Sequence, residues 1–169
     1  WDLALKASQA NDYLNVYRHF IDYIKDDDAD NFANIKSDED SLDFAFYQGS
    51  KVINVSINSE FIEAEAKIAK CISPQLEIFR SLLEDNYTLR YCKYCLDAGQ
   101  NLTMVFQSSH KDANPYKLYY GLKELATIAD HKDDALINKY PEFEAINNTH
   151  IKAASSVIMK AKYEHFRKE

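Results

Sequence analysis

The chain has 169 residues, 46% of them hydrophobic, with 12 Tyr and 9 Phe; this is the size of one domain with ample material for a packed core, and it excludes intrinsic disorder. A net charge of −7 argues against nucleic acid and against anionic membranes as partners, and no apolar run approaches the roughly 20 residues of a membrane-spanning helix. Three Gly and three Pro leave no low-complexity linker, and three Cys make no disulfide framework, which points to a reducing, cytoplasmic setting. The chain opens WDLALKASQA, with no initiator Met, basic n-region or apolar h-region. No signal peptide is expected, and the absent Met points to a segment trimmed upstream.

In chain order, the first predicted element is a helix. Tyr13, Val16, Tyr17, Phe20 and Ile24 fall at helical spacing on one stripe, and the acidic run Asp26, Asp27, Asp28, Asp30 opposes the macrodipole and stops it. SLDFAFYQ (41–48) and KVINVSIN (51–58) alternate apolar and polar side chains and are rich in aromatic and β-branched residues. They read as strands of a hairpin turning at Gly49-Ser50. SEFIEAEAKIAKCIS (59–73) is ambiguous. Its Ala, Glu and Lys favour a helix, but Ile62 to Ile68 alternates unbroken for seven residues, and a helix would place Glu63 and Lys67 near its apolar face. The strand reading is preferred.

Ser73-Pro74 then predicts a helix start with Ser73 as N-cap, carrying Leu76, Phe79, Leu82 and Leu83 and ending near Asn86. LRYCKYCLD (89–97) and NLTMVFQSS (101–109) read as a second hairpin around AGQ. A long helix follows Asn114-Pro115, with Leu118, Leu122, Leu125 and Leu136 inward, and Pro141 ends it. HIKAASSVIMKAKYEHFRKE predicts a further helix over 149–168. Its seam is Ile151, Ala154, Ile158, Ala161 and His165, and its tail is basic.

No chemical motif survives inspection. Asp26, Asp28 and Asp30 imitate the start of a calcium loop, but Asn31 stands where the turn requires Gly and Ser37 where a bidentate Glu is required. Cys92 and Cys95 form C-x-x-C on a predicted strand, where an odd spacing sends the two thiols to opposite faces; a redox pair needs a helix N-terminus. The histidines (His19, His110, His131, His150, His165) are scattered, and no Gly-rich phosphate loop or nucleophile motif is present. No catalytic, cofactor-binding or metal-ligating residue is assigned.

The predicted order is therefore α-βββ-α-ββ-α plus a C-terminal helix. The stretch LEIFRSLLEDNYTLRYCKYCLDAGQNLTMVFQSSHKDANPYKLYYGLKELATIADHKDDALINKY resembles the YbjN group of bacterial proteins and, through it, the type III secretion chaperone-like fold. SLDFAFYQGSKVINVSI is similar to that family's first hairpin. The resemblance covers about residues 8–140 and rests on structural features. It implies an α+β domain with a five-stranded antiparallel sheet, helices on one face and a homodimeric state, with 141–169 as a helical extension. It supports the strand reading of 61–70 and brings no catalytic residues.

The function this implies is a non-enzymatic protein-binding module, chaperone-like or regulatory, in which a sheet face or edge takes an extended segment of a partner protein. Tyr91 and Tyr94 are the candidate partner-binding residues, and Phe106 on the neighbouring strand is expected in the core. Two alternatives stay open: an assembly subunit self-associating through the C-terminal helix, and an enzyme with an unrecognised site.

Overall fold

A computed structural model describes residues 1–146 and 150. The elements are α1 (Asp2–Gln9), α2 (Tyr13–Ile24), β1 (Phe32–Ser37), β2 (Leu42–Gln48), β3 (Lys51–Ile57), β4 (Phe61–Cys71), α3 (Leu76–Asp85), β5 (Cys92–Leu96), β6 (Asn101–Ser109), α4 (Pro115–Lys139) and β7 (Phe143–Ala145). The strands form one open antiparallel sheet in the order β1-β2-β3-β4-β6-β5, with β7 paired to β4 off that path.

The fold differs from the expected five strands and three helices plus one extra: the described residues hold seven strands and four helices. Three elements account for the difference. DLALKASQ forms α1, FANIKS forms β1 against β2, and FEA forms β7. β7 lies past Tyr140, inside the stretch read as a helical extension. α3 also starts later than Ser73-Pro74 suggests, at Leu76 with Gln75 as N-cap and no side-chain cap bond. The helix expected over 149–168 lies outside the described residues apart from His150.

β4 shows why alternation overrides helix propensity. Ile62, Ala64, Ala66 and Ile68 all point into the core, while Glu63 and Glu65 point to the other face opposite Ser56 and Asn54 of β3. Slipping the register by one would bury two carboxylates and expose four apolar side chains. The strand pairs with β3 on one side and β6 on the other, and a bulge between Lys67 and Ala69 leaves Ile68 and Ala69 both buried.

α4 packs across this face of the sheet, over β4 and β6. Leu118, Leu122, Leu125 and Ala129 face inward at helical spacing, and Asn114 caps the start by accepting the Lys117 N–H at 3.0 Å. The helix sits close over the sheet at Gly121, where an added Cβ would lie 2.5 Å from the ring of Phe106. α2 adds Val16, Tyr17, Phe20 and Ile21 to the same core, and α3 adds Ile78 and Leu82. No helix among the described residues is long and apolar enough to cross a membrane.

The tip of the β2–β3 hairpin is tied to the last turns of α4. Gly49 turns with φ 51°, and a Cβ there would run into the Asp130 carboxylate. Asp130 accepts the Ser50 N–H at 2.7 Å, and the Ser50 hydroxyl donates to Asp133 at 2.6 Å. The Lys51 side chain is 2% exposed. Its ammonium lies 2.7 Å from Asp133 Oδ2 and donates to the Ile68 carbonyl at 2.9 Å.

Candidate functional site

The face of α4 turned away from the sheet carries Tyr116, Tyr120, Lys123 and Thr127 at i, i+4, i+7 and i+11, all exposed. Tyr116 and Tyr120 belong to a group of ring contacts. Trp1 sits 5.0 Å from Tyr23 and 5.2 Å from Tyr116 between ring centres, and Tyr119 meets Tyr120 edge-on at 5.3 Å. Tyr23, Tyr116 and Tyr120 are exposed around a half-buried Trp1 that packs against the core, so this helix face carries more aromatic surface than a purely solvated one.

Glu124 brings Tyr91 to this surface. It sits one residue past Lys123 and reaches the segment entering β5. Its carboxylate accepts the backbone N–H of Arg90 at 3.0 Å, of Tyr91 at 2.8 Å and of Cys92 at 3.0 Å. A single side chain thus fixes three consecutive peptide groups, and its charge is spread over three donors. Arg90, Tyr91, Tyr120, Lys123, Glu124 and Thr127 line a cleft of about 400 Å³. Tyr91 is 36% exposed and Tyr120 52% exposed. Lys123 and Thr127 also border a second cleft of about 420 Å³ on the other side of the helix, floored by Phe20, Phe32, Phe46 and Leu122.

The two tyrosines singled out from sequence part company. Tyr91 faces this cleft. Tyr94 is 6% exposed and lies in the core, and burial, reinforced by the charges of Asp85, Cys92 and Glu124, pushes its hydroxyl up beyond the usual tyrosine range. Phe106 is fully buried beneath Gly121.

The edge strand β5 is partly covered against pairing with another strand. Asp97 donates its N–H to Asn101 of the β6 side, so Cys92 and Tyr94 turn their backbone groups outward. Three of those groups are already taken. Glu124 holds the Cys92 N–H, and Asn86, the C-cap of α3, accepts the Tyr94 N–H at 2.7 Å and donates to its carbonyl at 3.4 Å. Asn86 mimics one rung of a neighbouring strand. The opposite edge, β1, is broken by a register shift between Ala33 and Lys36, with Asn34 at φ 54°, and acidic runs flank it on both sides. Both edges carry the devices that discourage strand addition. Asn86→Ala is expected to destabilise the fold by about 1 kcal/mol and to speed amide exchange at Tyr94 while leaving β6 amides protected, as measured by hydrogen exchange with NMR detection.

Of the other groups singled out from sequence, the cysteines pack, and His110 and the acidic loop make tying hydrogen bonds. Cys92 is buried on the core face and Cys95 half-buried on the other. Burial first, then Glu124 nearby, pushes the Cys92 thiol up, and burial raises Cys95 as well, the opposite of what a redox pair needs. His110 lies with Nδ1 2.7 Å from the Tyr17 hydroxyl and Nε2 2.7 Å from the Asn58 carbonyl. Both ring nitrogens are committed to joining α2 to the turn after β3. In the acidic loop, Asp26 accepts the N–H groups of Asp28 and Ala29, and Asp27 pairs with Lys25 at 2.6 Å. No group of three or more potential metal ligands stands together among the described residues.

Arg90, Tyr120 and Lys123 were not among the residues singled out from sequence. Tyr116, Tyr120, Lys123 and Thr127 share the helical spacing of the inward leucines of α4, and that spacing alone does not separate a contact surface from an ordinary outer stripe. No family model matches the chain, and no curated protein matches it.

Proposed function

We propose that this chain is a non-enzymatic protein-binding module, chaperone-like or regulatory, and that it takes a segment of a partner protein on the outer face of α4 between Tyr91 and Tyr120. The observation that carries this reading is the cleft itself. Two exposed tyrosines form its walls, and Glu124 holds one of them in place through three backbone hydrogen bonds. A backbone already fixed at Tyr91 and an edge-on contact of Tyr120 with Tyr119 lower the entropy cost of ordering these two rings against a partner, and large aromatic residues commonly dominate protein interfaces. The partly covered edge of β5 and the interrupted edge of β1 favour this face over strand addition.

The test is capture of partners on the full chain followed by direct titration of the partner identified. Tyr91→Ala and Tyr120→Ala are each expected to weaken its affinity about tenfold or more, with the circular dichroism spectrum unchanged. A partner bound equally well by both variants would move the binding surface elsewhere. Self-association is separated by sedimentation of the full chain and of a chain ending at Ile146. Ending at Ile146 keeps β7, whereas ending at Tyr140 would strip a strand from β4.

A further inference from the structure

We propose that the cleft on α4 recognises a carboxylate of its partner: the bound segment is acidic, with an Asp or Glu seated between Arg90 and Lys123 and an apolar or aromatic neighbour against the rings of Tyr91 and Tyr120. This rests on the binding-module reading above and gives it a partner chemistry. The chain as a whole carries −7, yet the cleft concentrates two exposed cations. Among the described residues neither Arg90 nor Lys123 forms an ion pair; the pairs present are His19–Asp22, Lys25–Asp27, Lys51–Asp133, Lys67–Asp97 and Lys132–Asp85. Lys123 instead rests 5.8 Å from the ring of Tyr119. The one carboxylate in the cleft, Glu124, is bonded to three backbone N–H groups and is held there by them.

The cleft therefore offers donors in excess of acceptors. A guanidinium accepts a carboxylate in a two-pronged geometry, an ammonium adds a point charge, and each tyrosine hydroxyl can donate a further bond. A volume of about 400 Å³ admits one or two side chains, not a folded domain. Phosphate would satisfy the same cations, but two of them neutralise only about two of the many phosphates along a nucleic acid, whereas they match the one or two carboxylates of a short acidic segment.

The experiment measures fluorescence anisotropy of labelled twelve-residue peptides with the full chain at low salt. The probes are three repeats of Asp-Leu-Glu-Phe, the amide counterpart Asn-Leu-Gln-Phe, and a Lys-Leu-Lys-Phe control. The acidic peptide is expected to bind about tenfold or more tightly than the amide peptide. Arg90→Glu with Lys123→Glu should reverse the order in favour of the basic peptide. These residues are exposed, so the circular dichroism spectrum should not change. Equal binding of acidic and amide peptides, with both lost in Tyr91→Ala/Tyr120→Ala, would overturn the carboxylate inference and leave the binding module standing. No binding by any peptide would count against both. An oligothymidylate of twelve nucleotides that displaces the acidic peptide at equal concentration would overturn the inference in favour of a phosphate ligand.

Discussion

Asp133→Ala is expected to destabilise the chain by about 3–5 kcal/mol, read as a drop in the urea midpoint at neutral pH. The substitution removes the partner of an ammonium that is 2% exposed, leaving Lys51 with the Ile68 carbonyl alone. The cost comes from the charge left behind, more than from the attraction lost. The paired replacement Lys51→Met with Asp133→Leu should recover most of the loss, because two apolar side chains fill the same space with no ion to desolvate. Acid should act on the same pair. Burial alone would raise the Asp133 pKa, but hydrogen bonds from Lys51, Ser50 and the Asp134 N–H outweigh it, and the carboxyl ends below its ordinary value. A folded-state pKa below the unfolded one contributes stability that is present above the ordinary carboxylate range and is lost as pH falls through the folded value. The native chain should therefore lose stability on acidification more steeply than Asp133→Ala does, measured by urea titrations between neutral pH and the acid limb.

Phe106→Ala is expected to cost about 3–5 kcal/mol, the range for emptying a fully buried aromatic site. The informative experiment pairs it with Gly121→Ala. In the native background that change should destabilise by about 1–3 kcal/mol through overlap with the Phe106 ring, although alanine is favoured over glycine in a helix by about 1 kcal/mol. With Phe106 already cut to alanine the overlap is gone and only the helix preference remains, so the sign should invert. A double-mutant cycle by chemical denaturation measures the coupling. Additive effects would show that α4 does not ride on this ring.

The sheet's middle was legible because its alternation has a physical cause. Ile62, Ala64, Ala66 and Ile68 must share a face, and the pattern outlasts a composition suited to helix. The long helix was legible from Asn114-Pro115 and the spaced leucines. What escaped notice was whatever lacks a pattern of its own. β1 is interrupted at Asn34 and Ile35, so alternation never accumulates over its six residues. β7 has three residues and exists because β4 outruns β3 and leaves room for it. The first helix carries one fully buried side chain, Ala4, too little for an inward stripe. The candidate site was half legible for a related reason. Tyr91 reads in the sequence as part of a strand over 89–97, but β5 begins only at Cys92, and the setting of Tyr91 depends on Glu124, more than thirty residues away. Tyr94 looks equivalent in sequence, and only its pairing with Met104 of β6 puts it on the core face.

β4 is longer than any neighbour on its β3 side, and β7 completes that side at Ala69, Lys70 and Cys71. On a ribosome the consequence is a wait. β3 precedes β4 in the chain, but when Cys71 has been made Phe143 is still some seventy codons away, about 4–15 s at ordinary elongation speeds. For that interval the most central strand of the sheet has a bare stretch of backbone at its end. Ala69 and Cys71 lie there with their side chains destined for the core. A nascent chain stalled between β6 and β7 would present that stretch to whatever stands nearby.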